Sequence, residues 1–163
     1  MIATPQVFKN LMFQPETFFI GQTIGGGVLR DPFFRITRRF QVETRGYQDG
    51  SYGAIKLDET YAYDTGEVEA FQWMITPAGA GRYVLAEASM GSGIMAHEQS
   101  GELIFAFRRP LGAARGLAKP RFAVRMGLVR GDTVLKSVKM CLLGAPLGTV
   151  TAFHRRAAPA TGA

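Results

Sequence analysis

Apolar side chains in this chain recur at every second residue, in ten short stretches separated by clusters of glycine, aspartate and proline. A period of two belongs to a strand with one face against a core and the other toward solvent. The pattern predicts strands near residues 17–29, 33–45, 51–62, 67–76, 81–90, 93–99, 101–109, 121–130, 133–142 and 147–155. Between them lie GYQDG, YDTG, PAGAG, SG, RGD and GAPLG, residues whose turn chemistry closes hairpins. Strands joined in order by tight turns make an antiparallel meander, and closure removes the unpaired edges of such a sheet. The expected fold is therefore all-β, a meander closing into a barrel of 8–10 strands. A short N-terminal helix is expected over TPQVFKNLMF, with Thr4 as cap and Pro5 at the first helical position.

The 163 residues and 47% hydrophobic content suffice for one core, placing a single barrel domain at 1–156 and an unstructured tail at 157–163. The segment PLGAARGLAKP, residues 110–120, is long and basic, either a flap over an opening or a surface loop. A single cysteine, Cys141, excludes an internal disulfide framework and a cysteine-based zinc cluster, and reads as a small hydrophobe in an apolar strand. Two histidines and scattered acids give no metal-ligand spacing, so neither metal nor cofactor is expected. His154, beside the terminal arginines, is expected at the surface or as a cap. GQTIGGG shares only its glycines with a phosphate loop, and SMGSG lacks the frame of a serine elbow.

Charge is uneven. Residues 101–163 carry eleven Lys or Arg against two acids, net +9, while residues 1–100 carry eight against eleven, net −3. A basic half attracts nucleic acid, an anionic membrane or an acidic ligand, but no nucleic-acid-binding motif accompanies it, and none of these partners is required. The longest charge-free apolar run, MCLLGAPLGTVTAF, is too short and broken to cross a bilayer about 30 Å thick, so no integral membrane insertion is expected. The N-terminus lacks a basic start followed by an apolar stretch and cleavage site, which makes the cytoplasm the expected compartment unless a leader has been removed.

Three charges break the apolar rows. In FFRITRRFQVET, Arg38 shares a face with Phe34, Ile36, Phe40 and Val42; Glu59 falls in phase with Ile55, Leu57, Tyr61 and Tyr63; Lys136 falls in phase with Val134, Val138 and Met140. A lone buried ion costs several kcal/mol or more, so each must be paired, hydrated or aimed at a ligand. On adjacent strands, Arg38 and Glu59 are placed to pair with each other. A structural reading stands beside the functional one: a rim charge snorkels, a bulge shifts phase, a buried pair serves stability alone.

The stretches FFIGQTIGGG, RRFQVE, KLDETYAYDTGEVEAFQW, GRYVLAEASMGSG, SGELIFAF and GDTVLKSVKMCLLGAPLGTVTAFHR together resemble a family of small bacterial proteins of unassigned function, lipocalin-like (calycin-type) barrels that often carry a lipoprotein leader. Matching positions include Gly21, Asp58, Glu59, Tyr61, Gly66, Trp73, Tyr83, Met140 and Gly148. The chain departs from the pattern at Phe71, where a basic residue is expected, at AVRMGLV after position 122, and at Lys136, where an asparagine is expected. The resemblance implies a divergent lipocalin-like member and leaves its activity open.

The resulting expectation is a barrel that binds a small lipophilic or amphipathic molecule, with homodimerisation left open. Arg38 and Lys136 meet an anionic head, Glu59 orients Arg38, and Phe34, Phe40, Tyr61, Trp73, Tyr83 and Phe105 line the cavity. The alternative is a small barrel enzyme of isomerase, cyclase or lyase type, in which Glu59, His97 and Arg38 carry acid–base catalysis on an apolar or aromatic substrate.

Overall fold

The computed structural model describes residues 12–50, 52–90, 93–110 and 118–158. One helical turn, α1 (Pro15–Phe18), precedes ten strands: β1 (Gly21–Arg30), β2 (Ile36–Gln48), β3 (Ile55–Tyr63), β4 (Val68–Pro77), β5 (Arg82–Glu87), β6 (Ile94–Gln99), β7 (Glu102–Arg108), β8 (Arg121–Arg130), β9 (Thr133–Leu142) and β10 (Ala145–Arg156). Each strand pairs antiparallel with its sequence neighbour, and β1 pairs with both β2 and β10, so the meander closes into a barrel without a free edge. The expected fold is present nearly strand for strand.

One short helical turn precedes the barrel. Residues 1–11, which hold most of TPQVFKNLMF, lie outside the described residues, and the turn that forms starts at Pro15. Proline lacks the N–H that a first helical residue would leave unpaired, so QPE starts this turn. Phe18 and Phe19, expected in the first strand, instead join Phe13 as a cluster of edge-to-face rings with centroids 5.0–6.0 Å apart. All three are buried in the main apolar core with Ile55, Leu103 and Val134. They plug the end of the barrel where the β2–β3 and β8–β9 hairpins turn, hereafter the closed end.

Alternation sorts the strands as anticipated: Phe122, Val124 and Met126 on β8, Val134, Val138 and Met140 on β9, and Phe40, Val42 and Thr44 on β2 point inward. The glycines of GQTIGGG lie within regular β1, and the bulge falls later, between Leu29 and Arg30. A side chain at Gly27 would stand 2.3 Å from the Thr151 carbonyl oxygen and 2.6 Å from Cζ of Phe40. The missing Cβ thus brings β1 against β10 at the closing seam and gives the Phe40 ring its place inside. Of the 110–120 segment, residues 111–117 lie outside the described set. Ala157, expected in the tail, still donates its N–H to the Gln22 carbonyl at 2.9 Å, and residues 159–163 lie outside the described set.

Gly27→Ala forces either the seam or Phe40 to move. We expect a loss of about 1–3 kcal/mol, the usual range for overpacking, measured by urea unfolding, whereas Gly131→Ala, with open space around its Cβ, should change little.

Candidate functional site

Above the packed floor the barrel is hollow. A cavity of about 170 Å³ extends toward the end where the β1–β2, β3–β4, β7–β8 and β9–β10 connections lie. Its walls are aromatic. Phe40, Tyr61 and Phe71 meet edge to face on one side, with centroids 5.2 and 5.9 Å apart, and Phe107 packs on Trp73 and stacks on Phe122 at 5.1 Å on the other.

Between floor and cavity lies a polar layer built by inward positions of neighbouring strands. Glu59 on β3 is opposite Thr44 on β2, which is opposite Thr23 on β1, and the two threonine hydroxyls hydrogen-bond at 2.5 Å. Tyr61 donates its hydroxyl proton to Glu59 Oε1 at 2.5 Å, and Trp73 donates its indole N–H to Oε2 at 3.1 Å. Lys136 Nζ lies 3.5 Å from Oε1 and donates to the Tyr61 oxygen at 3.0 Å. Both carboxylate oxygens are therefore engaged, and the buried charge has its counter-charge. Burial pushes the Glu59 carboxyl up, but the Lys136 charge, the His154 ring once protonated, and the bonds from Tyr61 and Trp73 outweigh it and hold the group below its usual range. Burial, then the charge and hydrogen bond of Glu59, push the Tyr61 hydroxyl well above its ordinary value.

His154 belongs to this layer. It is 1% exposed, packs edge to face on Phe19, and neither ring nitrogen has a hydrogen-bond partner among the described residues. The surface position expected for it is incorrect. The terminal arginines suggested a strand end in solvent, yet β10 continues to Arg156 and keeps Gly148, Ala152 and His154 on its inner face. The alternation of Val150, Ala152 and His154 within the expected strand 147–155 places it inside. Burial lowers the imidazole to about 4, with the nearby Lys136 charge adding to the effect and Glu59 opposing it.

Arg38 does reach the cavity, but its expected pairing with Glu59 does not form. Glu59 is opposite Thr44, six residues along β2 from Arg38 or roughly 20 Å of strand. Adjacent strands had implied adjacent charges, and the register separates them. Arg38 instead donates to Glu67 at 2.6 Å and Thr65 at 3.1 Å, with its guanidinium carbon 3.8 Å from the centroid of the Tyr63 ring. Across the mouth, Arg109 lies over Phe71 and Phe122, at 4.5 and 5.3 Å from the ring centroids. Its Nε is buried without a partner, and among the described residues, which include all 13 acidic side chains, it forms no ion pair. Arg109 was missed although it continues the inward alternation of Leu103, Phe105 and Phe107 at the end of the expected strand 101–109, because a charge at a strand end was not followed into the cavity.

Of the other expected residues, Phe40, Tyr61, Trp73, Phe105 and Lys136 line the cavity with Arg38 and Glu59, and Tyr83 does not. Tyr83 is buried near the closed end and donates to Glu16 at 3.2 Å. Phe34, on the β1–β2 turn at φ 64°, is 77% exposed. His97 is on the outer face of β6, opposite Arg82 and Ile104, so it cannot join Glu59 in proton transfer. The acid–base set of Glu59, His97 and Arg38 is thus spread over three separate places. No group of three or more His, Cys, Asp or Glu among the described residues is placed to hold a metal ion.

A closed antiparallel barrel, plugged at one end and hollow toward the other, is a calycin-like fold, and solved structures agree. The S-type phycobiliprotein lyase CPES from Guillardia theta superposes with a TM-score of 0.68 over 92% of this chain and 96% of that one, at 11% identity. Rv2717c from M. tuberculosis superposes with a TM-score of 0.56 over 89% of this chain and 99% of that one, at 16% identity. Residues 6–156 match the family described as "Protein of unknown function (DUF3833)", and the chain belongs to that family. No curated protein matches the sequence significantly. No helix among the described residues is long and apolar enough to cross a membrane.

Two measurements check the polar layer. Unfolded, the His154 ring takes a proton near pH 6.5; folded, only near pH 4. Between those values the unfolded state binds more protons, so stability falls as pH drops, by about 2–3 kcal/mol from pH 7 to 4.5, and His154→Leu should flatten that portion of the profile. Glu59, lowered rather than raised, contributes stability that is kept above its unfolded value and lost only as pH falls through its folded one. Separately, Glu59→Gln strands the Lys136 ammonium and should cost about 3–5 kcal/mol in denaturant unfolding, with Glu59→Gln/Lys136→Met recovering most of the loss.

Proposed function

We propose that the barrel holds one small amphipathic anion, its apolar body in the aromatic cavity and its charge at the mouth against Arg109 and Arg38. The observation that carries this reading is the Arg109 guanidinium, held on two phenyl rings at the mouth with a buried, unpartnered N–H. A structural arginine is ordinarily matched by a carboxylate or carbonyl; one left open beside an apolar cavity is suited to a ligand's anion. Lys136 is already occupied by Glu59 and Tyr61, so the charge recognised most directly is at the mouth and not at the inner end.

Volume narrows the ligand. About 150 Å³ accepts a benzene-sized guest, whereas drug-sized sites run to about 300–1,000 Å³. At about 170 Å³ the cavity takes a group of one ring or a short chain, and a longer molecule extends out past Arg38 and Arg109. A phycobiliprotein lyase shares the fold, which is consistent with an interior given over to binding.

Fluorescence titration with anilinonaphthalene sulfonate, an aromatic anion, tests this. We expect one saturable site, about tenfold weaker in Arg109→Gln, the effect of losing a charged hydrogen bond, and abolished when Val150→Phe fills the cavity. The neutral N-phenylnaphthylamine should be indifferent to Arg109→Gln. Affinity for the sulfonate unchanged in both folded variants would overturn the proposal.

A further inference from the structure

The rim around the mouth carries a feature the cavity does not use. The β1–β2 turn presents Phe33 and Phe34, each 77% exposed, and the β9–β10 turn presents Leu143, 94% exposed. Both turns stand at the open end, on strands adjoining across the closing seam, where Arg30 is opposite Ile36 on one side and Thr149 on the other. Three large apolar side chains thus project from neighbouring hairpin tips.

Their exposure is held in place. Phe34 and Leu143 adopt left-handed backbone at φ 64° and 49°, which side chains bearing a Cβ rarely do. Asp31 fixes the first turn: its Oδ1 accepts the N–H groups of Phe33 and Arg35 at 2.9 and 3.0 Å, and its Oδ2 pairs with the Arg35 side chain at 2.7 Å. An ordered turn that strains its backbone to point phenyl groups at water implies an apolar destination for them.

Charge on the same rim identifies that destination. Arg108 and Arg121 are directly opposite each other on β7 and β8, a like-charge pair that destabilises a sheet in isolation. Lys119 and Lys139 are exposed nearby, and none of these four forms an ion pair among the described residues. The rim acids are largely engaged: Asp31 by Arg35, Glu67 by Arg38, and Glu69 by the Tyr63 hydroxyl. Nucleic acid would answer the cations but gives no reason for an exposed leucine on a separate turn. An anionic phospholipid surface answers both.

We infer that the open end docks on an anionic bilayer, with Phe33, Phe34 and Leu143 entering the headgroup–acyl boundary and the unpaired cations contacting phosphates. Docked in this way, the cavity mouth faces the lipid. The inference goes beyond the ligand reading and does not require it, because none of the three apolar tips lines the cavity.

The test is co-sedimentation of the full chain with vesicles of equimolar phosphatidylglycerol and phosphatidylcholine. We expect binding that weakens about tenfold or more with phosphatidylcholine alone or in high salt, and by a similar factor in Phe33→Ser/Phe34→Gly. Glycine accepts the φ of residue 34 without strain, so that variant keeps the fold, and its affinity for anilinonaphthalene sulfonate in solution should be unchanged. Arg108→Gln/Arg121→Gln should remove most of the preference for phosphatidylglycerol. The inference is overturned if the wild type ignores anionic vesicles, or if the phenylalanine variant binds them as tightly. It is also overturned if light scattering shows a dimer that the same variant dissolves, which would assign the face to a second copy.

Discussion

A wall of ten strands encloses more room than inward side chains of ordinary size can fill, and the rest of the structure answers that excess. At one end the chain fills it with material from outside the wall, three phenylalanines supplied by the segment before β1. Toward the other end the excess is left as a chamber. Two environments with different requirements therefore share one barrel: a floor that must be dense, and a cavity that must keep its shape without being packed.

The polar layer separates them. Glu59 accepts hydrogen bonds from Tyr61 and Trp73, and Lys136 binds both Glu59 and the tyrosine, so four side chains from three strands are fixed in relation to each other. Hydrophobic contact alone would let these rings slide; directional bonds hold them. The inner ends of the aromatic walls, Tyr61 and Trp73, are members of this network. The layer is thus the inner wall of the cavity as well as part of the core, and a change in its charge acts on both.

Much of this was legible in the letters. Alternation placed all ten strands and put Glu59 and Lys136 inside, because a period of two is a property of the backbone and survives changes of side chain. Relationships set by register were not legible. Nothing in FFRITRRFQVET says that Arg38 lies opposite the YDTG turn and not Glu59, since hairpin length and the barrel's shear decide that alignment. His154 lay inside the expected strand 147–155, but the adjoining arginines were read as a solvent-facing end and its inward phase with Val150 and Ala152 was not followed; the plug was read as strand because Phe18 and Phe19 continue smoothly into the apolar run. Arg109 was readable from phase, since it follows Leu103, Phe105 and Phe107 on the inner face, and an arginine after FAFR at the start of a basic loop was a second cue to a charged mouth.

The chain has one tryptophan, and its indole is in the cavity wall with its N–H on the Glu59 carboxylate. Emission from most proteins averages over several indoles in unrelated surroundings; here every photon excited above the tyrosine band comes from this compartment. With Phe107 packed on its ring and Glu59 on its N–H, the indole is placed to sense the polarity of this compartment, so the barrel carries its own optical probe of what occupies it.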